Sequence, residues 1–308
     1  MDVTSVTTLG SVLLGSLVAT FLSGMNTLQT ILYVRLYPED TIRIKALVAT
    51  IMSLDIIHTA FIWVSLWFFF IENFGQKPDI RLEQNPEFLP GLMVVTAITT
   101  LVAHMFYLHR IISLSHQNIW IAIPVVILAL CRVGSGIATI AGVFKFQDLS
   151  EYLAGSYQVR WVLFLGLVFA AATDLAIMTT IIVLLWLGRR QTISLGKALD
   201  RLVLYTFEAG MLTTFTAIAT MIAWLAQEHA FIFMAIYLSL AKVYTTGLLG
   251  SLNLRYQLRH DQNPQTSQDW NMTNVGDTPM MSRGLSDIEF HRRTTMTQVN
   301  ETDTVLFV

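Results

Sequence analysis

The chain has 308 residues, 54% of them hydrophobic and only 13% charged, with a formal net charge of −2. Soluble domains carry about 25% charged residues, so this composition excludes an ordinary soluble enzyme or binding module. With no basic block to grip phosphates, it also excludes a nucleic-acid binder. The single cysteine, Cys131, leaves no internal disulfide.

Taken in order, seven segments are each apolar and long enough to cross a bilayer core, which needs about 20 residues as helix. The first is Leu9–Val34, which carries Asn26 and Gln29. No basic n-region precedes it, and it exceeds a signal peptide's ~7–15 apolar residues. It therefore reads as a retained first helix behind a short external N-terminus, residues 1–8. The second segment, Lys45–Ile71, carries Asp55 and His58, three apart and so on one helical face. The third, Leu89–Ile112, carries His104. The fourth, Ile119–Gly142, carries Cys131, read as a small packing residue, and Arg132. It also holds a run of small residues, Gly134, Gly136, Ala138, Ala141 and Gly142, of the kind that lets helices approach closely. The fifth, Trp161–Leu187, has Ala170–Ala172 and Asp174. The sixth, Leu202–Ala226, has Glu208, Thr213, Thr214 and Thr216. The seventh, Ala230–Leu254, has Lys242, Tyr244, Gly247, Gly250, Ser251 and Asn253.

The connections are short except 72–88 and 144–160. Tyr157 and Trp161 sit at a span edge, where aromatic belts form. Basic residues near the helix ends set the orientation. Arg35, Arg43, Lys45, Arg110, Arg189, Arg190, Lys197, Arg201, Arg255 and Arg259 lie on one side, against Lys77, Arg81, Lys145 and Arg160 on the other. The richer side is cytosolic by the positive-inside rule, which puts the N-terminus outside. Residues 256–308 are polar and lack apolar periodicity, the composition of a disordered cytosolic tail. No lipidation signature is present: residue 2 is Asp and the chain closes on Leu306-Phe307-Val308. Within the tail, Asn271-Met272-Thr273 and Asn300-Glu301-Thr302 match glycosylation acceptors on the wrong side of the membrane, and His291-Arg292-Arg293-Thr294 is a basic pair before a hydroxyl.

Asp55, His58, His104, Arg132, Asp174, Glu208 and Lys242 form the candidate site. A charge at the centre of a membrane helix costs about 2.5–3.5 kcal/mol, so it faces the bundle interior or a wet cavity. Two readings follow. In one, near-balanced acids and bases pair and fix helix packing. In the other, the set lines a central cavity that takes a ligand, ion or proton. Lys242 in mid-helix invites a retinal Schiff base, but the third helix offers no carboxylate and the sixth no aromatic pocket motif. Asp55, His58 and His104 could converge on zinc, but no His-x-x-x-His pair exists and the seventh helix has no histidine. No nucleophile–base pair is discernible. The third helix lacks Asp-Arg-Tyr and the seventh lacks Asn-Pro-x-x-Tyr, which sets aside receptors of the large animal type. No catalytic residue, metal or cofactor is expected.

Spaced strings along the chain resemble a family of fungal, mainly basidiomycete, seven-helix membrane proteins. Their C-terminal half is catalogued as domain of unknown function 6534. Gly24-Met25-Asn26-Thr27-Leu28-Gln29, followed by Tyr37-Pro38-Glu39-Asp40 and Lys45, resembles the family's first helix and its cytosolic turn. Leu54-Asp55-Ile56-Ile57-His58 resembles its second-helix pair, and 106–115 the end of its third helix. Thr173-Asp174-Leu175-Ala176-Ile177 resembles the start of the catalogued domain, here about 168–257. Phe207-Glu208-Ala209-Gly210-Met211-Leu212-Thr213, Lys242-Val243-Tyr244 and Leu252-Asn253-Leu254-Arg255 resemble its last two helices. His104 stands where Gln is expected and Ala209 where Thr is usual. The resemblance implies the fold and the membrane location and carries no activity with it.

The expected architecture is thus all-α, a seven-transmembrane-helix bundle over residues 9–255 with a disordered cytosolic tail. The expected role is a receptor-like or small-molecule/lipid-sensing membrane protein, not an enzyme, with the lipid bilayer and a small ligand as partners and the plasma membrane as its place. The rival readings are a proton-coupled carrier that uses the charge cluster and a non-catalytic scaffold.

Overall fold

A computed structural model describes residues 3–72, 88–115, 118–145, 157–191, 196–226 and 232–262. Each described stretch is built around one long helix: α1 Val3–Leu36, α2 Ile42–Trp67, α3 Phe88–Leu114, α4 Ile119–Lys145, α5 Tyr157–Gln191, α6 Gly196–Ala226 and α7 Ile232–Gln262. All seven contain a span long and apolar enough to cross a membrane, and no strand occurs among the described residues. Helix is what lipid demands, because every backbone donor must find its acceptor within the segment. The many hydroxyls are absorbed the same way. Thr20, Thr27, Thr30, Thr139 and Thr220 each donate to the carbonyl four residues back, which keeps a polar atom satisfied without a partner helix.

Local signals set the helix ends. The carboxamide oxygen of Asn118 accepts the Trp120 N–H at 3.2 Å and caps α4. A π-helical turn, Phe68–Glu72, closes α2. α7 runs on to Gln262, past the expected start of the tail at 256. Arg255, two turns before its end, is a cation of the kind that suits a helix C-terminus. The rest of the expected tail, 263–308, lies outside the described residues, as do most of both long connections.

Each helix packs on its neighbours in sequence, and α7 returns to α1, so the ring closes in the order α1 to α7. α7 also reaches α2 and α3, and α3 reaches α5. α7 is therefore the central stave, with 61% of its span window buried, against 11% for α4. Small residues allow the closest approaches. A Cβ on Gly15 would lie 2.5 Å from the Ala235 backbone, one on Gly210 would lie 2.8 Å from Met178, and one on Gly250 would collide with the Tyr205 ring. The expected packing run on α4 does not pack: a Cβ on Gly134 or Gly136 would meet nothing within 4 Å, and Ala138 and Ala141 are exposed. Cys131 is exposed too rather than a core residue, because one step along a helix rotates it away from inward-facing Arg132.

At one end of the bundle the α1–α2 turn is tied to the end of α7. Arg255 Nη2 lies 2.6 Å from Asp40 Oδ2, and the Tyr33 hydroxyl donates to the same oxygen at 3.0 Å. The Arg255 guanidinium stacks 4.5 Å from the centre of the Tyr37 ring, while Tyr37 donates to the Asn253 carbonyl.

Candidate functional site

Helix rise places the candidate charges at a common level. Asp55 is thirteen residues from the Ile42 end of its span, and Lys242 thirteen from the Arg255 end, so both lie about 20 Å below the same face. His104 and Tyr244, ten and eleven residues from their span ends, lie about 15–17 Å below it. The charges at this level divide into two separate centres.

The first joins α1, α2 and α7. Lys242 and Asp55 have fully buried side chains, with Nζ 3.2 Å from Oδ1. The ammonium also donates to the Asp55 carbonyl at 2.7 Å and to the Thr59 hydroxyl at 2.6 Å. Three hydrogens meet three acceptors, which saturates the group. The carboxylate is held as tightly: Asn26 donates to Oδ1 at 2.9 Å and Ser23 donates to Oδ2. Asn26 in turn accepts from Thr246 at 2.7 Å. Nothing in this knot is left to receive a ligand, a Schiff base or a metal.

The second centre joins α3, α4, α5 and α7. Arg132 Nη1 lies 2.9 Å from the Tyr244 hydroxyl, 2.9 Å from His104 Nε2 and 3.6 Å from Asp174 Oδ1. Tyr244 donates to Asp174 Oδ2 at 2.5 Å. One assignment satisfies all of these contacts. Arg132 gives one Nη1 hydrogen to Tyr244 and the other to an unprotonated His104 Nε2, and Tyr244 passes its own to Asp174. His104 Nε2 is also 3.3 Å from Asp174 Oδ1. If the ring hydrogen moves to Nε2, His104 becomes a donor to Asp174 and ceases to accept from Arg132. The centre therefore has two hydrogen-bonding arrangements.

The second centre is also open. His104, Asp174 and Tyr244 form the deep wall of a cavity between α3, α5, α6 and α7. Its volume is about 30 Å³, above the ~10–15 Å³ that one water needs. Ile177, Met178 and Ile181 line one side. Arg110, Tyr205 and Ser251 line the cavity toward one end of the bundle. Each is four residues from its span end, at Leu114, Arg201 and Arg255 respectively, or about 6 Å deep. Arg110 is buried, with 6% of its surface exposed. Tyr205 donates to the Gly247 carbonyl at 3.3 Å. Among the described residues, the Arg110 guanidinium has no carboxylate or hydrogen-bond acceptor, and the Tyr107 hydroxyl beside it in the lining has no hydrogen-bond partner.

The structure thus brings Asp55 to Lys242 and gathers His104, Arg132 and Asp174. His58 and Glu208 hydrogen-bond to neither centre, although His58 lies within electrostatic reach of Lys242. His58 is fully buried against Thr96, with Nε2 3.0 Å from its hydroxyl and Nδ1 unpartnered. Glu208 is exposed on the outer face of α6. It sits about 10 Å from the Arg201 end of its span, close enough for its carboxylate to reach toward the interface. Thr213 and Thr216 bond within their own helix rather than across helices. Asp55, His58 and His104 do not converge, and no group of three metal-ligating residues occurs among the described residues. Arg110 and Tyr107 were not singled out as site residues in the sequence. Their signal was the spacing His104, Tyr107, Arg110, three apart each time and so along one helical face.

Residues 170–257, from mid-α5 through most of α7, match a family described as a family of unknown function (DUF6534). No curated protein and no solved structure matches the chain. The matched segment contributes Asp174, Tyr205, Lys242 and Tyr244, and so one side of each centre.

Proposed function

We propose that the chain is a receptor-like, non-catalytic membrane sensor that binds a small molecule or lipid in the cavity between α3, α5, α6 and α7. The observation that carries this reading is the contrast between the two centres. The Asp55–Lys242 knot is sealed and saturated, while the Asp174 centre opens onto a cavity and can exchange one hydrogen-bond arrangement for another. A ligand that engages His104 or Asp174 has differential contacts with those two arrangements, which is what a switch requires. A proton-coupled carrier would need the two centres joined in one relay. Instead, the hydrogen-bonding members of one network (Ser23, Asn26, Asp55, Thr59, Lys242, Thr246) and of the other (His104, Arg132, Asp174, Tyr244) do not overlap.

In this reading the resemblance to fungal seven-helix proteins extends over the whole of 9–255, beyond the matched segment. On the same reading the N-terminus is outside, the tail is in the cytosol and the host is the plasma membrane; the ten-to-four bias of basic residues supports the orientation. Arg110, Tyr205 and Ser251 of the cavity lining then lie in the cytosolic half of the bilayer.

The test is a thermal-shift screen of the purified full chain against small amphiphiles, with Ala209→Leu as the control. Ala209 lines the cavity, so the added side chain fills it. A ligand at 100 times its dissociation constant adds about 2.7 kcal/mol of apparent stability. The reading expects a shift in the wild type that Ala209→Leu removes. A shift of equal size in both proteins would refute the cavity as the site.

A further inference from the structure

The cavity carries a cation that its own walls do not neutralise. Arg132 is matched by Asp174 and Lys242 by Asp55, but among the described residues no acid faces Arg110. Its guanidinium donates to no protein acceptor among the described residues, and an oxyanion would supply acceptors for its planar fork of donors. The Tyr107 hydroxyl beside it is a second free donor. Deeper in, the wall turns apolar at Ile177, Met178 and Ile181 before it reaches the Asp174 centre. From Arg110 to the level of His104 is six residues along α3, about 9 Å.

We propose that the ligand of this cavity is a medium-chain carboxylate, its carboxylate held by Arg110 and Tyr107 and its chain directed along Ile177, Met178 and Ile181 toward the Asp174 centre. The proposal rests on the reading of the cavity as a binding site and adds the ligand's charge, its orientation and its anchor. A planar guanidinium suits a carboxylate because two parallel N–H bonds can form at once. Arg110 also lies at a depth a membrane-dissolved carboxylate reaches with its head near the interface.

The experiment compares octanoate, octanol and octylammonium, three probes of equal chain length, on the full chain in phosphatidylcholine nanodiscs. Binding is read by thermal shift and by equilibrium dialysis. Octanoate is expected to bind, octanol to bind about 10- to 100-fold more weakly, and octylammonium not to bind. Arg110→Gln is expected to weaken octanoate by a similar factor and to leave octanol unchanged. Arg110→Lys should recover part of the loss. Tyr107→Phe keeps the proposal testable if Arg110→Gln does not fold, because it removes a hydroxyl with no partner in the free protein. It should leave the unliganded melting temperature unchanged and weaken octanoate severalfold.

Equal affinity for octanoate and octanol, both abolished by Ala209→Leu, would overturn the carboxylate assignment and leave the cavity as a binding site. Octanoate binding that survives both Arg110→Gln and Tyr107→Phe would overturn the anchor. No binding of octanoate at all, or stabilisation by phosphatidylglycerol nanodiscs in its place, would overturn the proposal in favour of an empty cavity or a bilayer headgroup on Arg110.

Discussion

Replacing Lys242 with Met removes the cation from a fully buried pair and keeps much of the side-chain volume. Asp55 would then hold a carboxylate with zero side-chain exposure and only the neutral donors Ser23 and Asn26. Breaking a buried pair by removing one member costs about 3–5 kcal/mol. Two things act on that figure. The two neutral donors remain and soften the loss, while the Thr59 hydroxyl and the Asp55 carbonyl each lose an ammonium donor. The expected destabilisation is therefore about 3 kcal/mol, toward the lower end of the range. The second change, Asp55→Asn, removes the stranded charge, so the double variant should lose less than the sum of the two single losses, by a coupling energy of about 1.5–2 kcal/mol. Reversible unfolding of the purified protein, followed by helical circular dichroism, measures all four corners of the cycle. A Lys242→Met protein as stable as wild type, or a double variant whose loss is the sum of the two single losses, would refute the pairing argument.

Other consequences follow from the same geometry. Arg132→Leu leaves Asp174 facing His104 and Tyr244 without its cation and should destabilise the bundle by about 3–5 kcal/mol, read by the same unfolding assay. Gly210→Leu drives a side chain into Met178. Overpacking of this kind costs about 1–3 kcal/mol, and Met178→Ala in the same chain should return most of it in a thermal melt. Glu208→Gln changes an exposed carboxylate outside both centres and should stay within about 0.5 kcal/mol of wild type. A larger loss would show that Glu208 has a structural partner.

The seven spans were legible because lipid imposes one simple code, a long apolar run. Their observed limits differ from the expected ones by only a few residues, mostly where helices project beyond the apolar run, as α5 does to Gln191 and α6 from Gly196. The pairing of charges was not legible. Asp55 and Lys242 are 187 residues apart, and only the position of α7 inside the ring brings them together. α4 shows a different failure. It is apolar nearly all round and lies at the edge of the bundle, so neither its small residues nor Cys131 carried a mark saying which way they face. Arg110 was read through its nearness to a helix end, as a topology signal. The same residue, placed in three dimensions, is the uncompensated cation of the cavity. Both readings rest on one physical point: a guanidinium near the end of a span is where the bilayer tolerates charge.

The central claim is that the Asp174 centre and its cavity form the site, while the Asp55–Lys242 knot holds the helices. Octanoate binding measured by dialysis on the charge-neutral double variant Asp55→Asn with Lys242→Met, and on Ala209→Leu, which fills the cavity, separates the two roles. Binding kept within about threefold in the first and lost by tenfold or more in the second is the predicted result. Binding lost in the first and kept in the second would contradict the account and move the site to the knot.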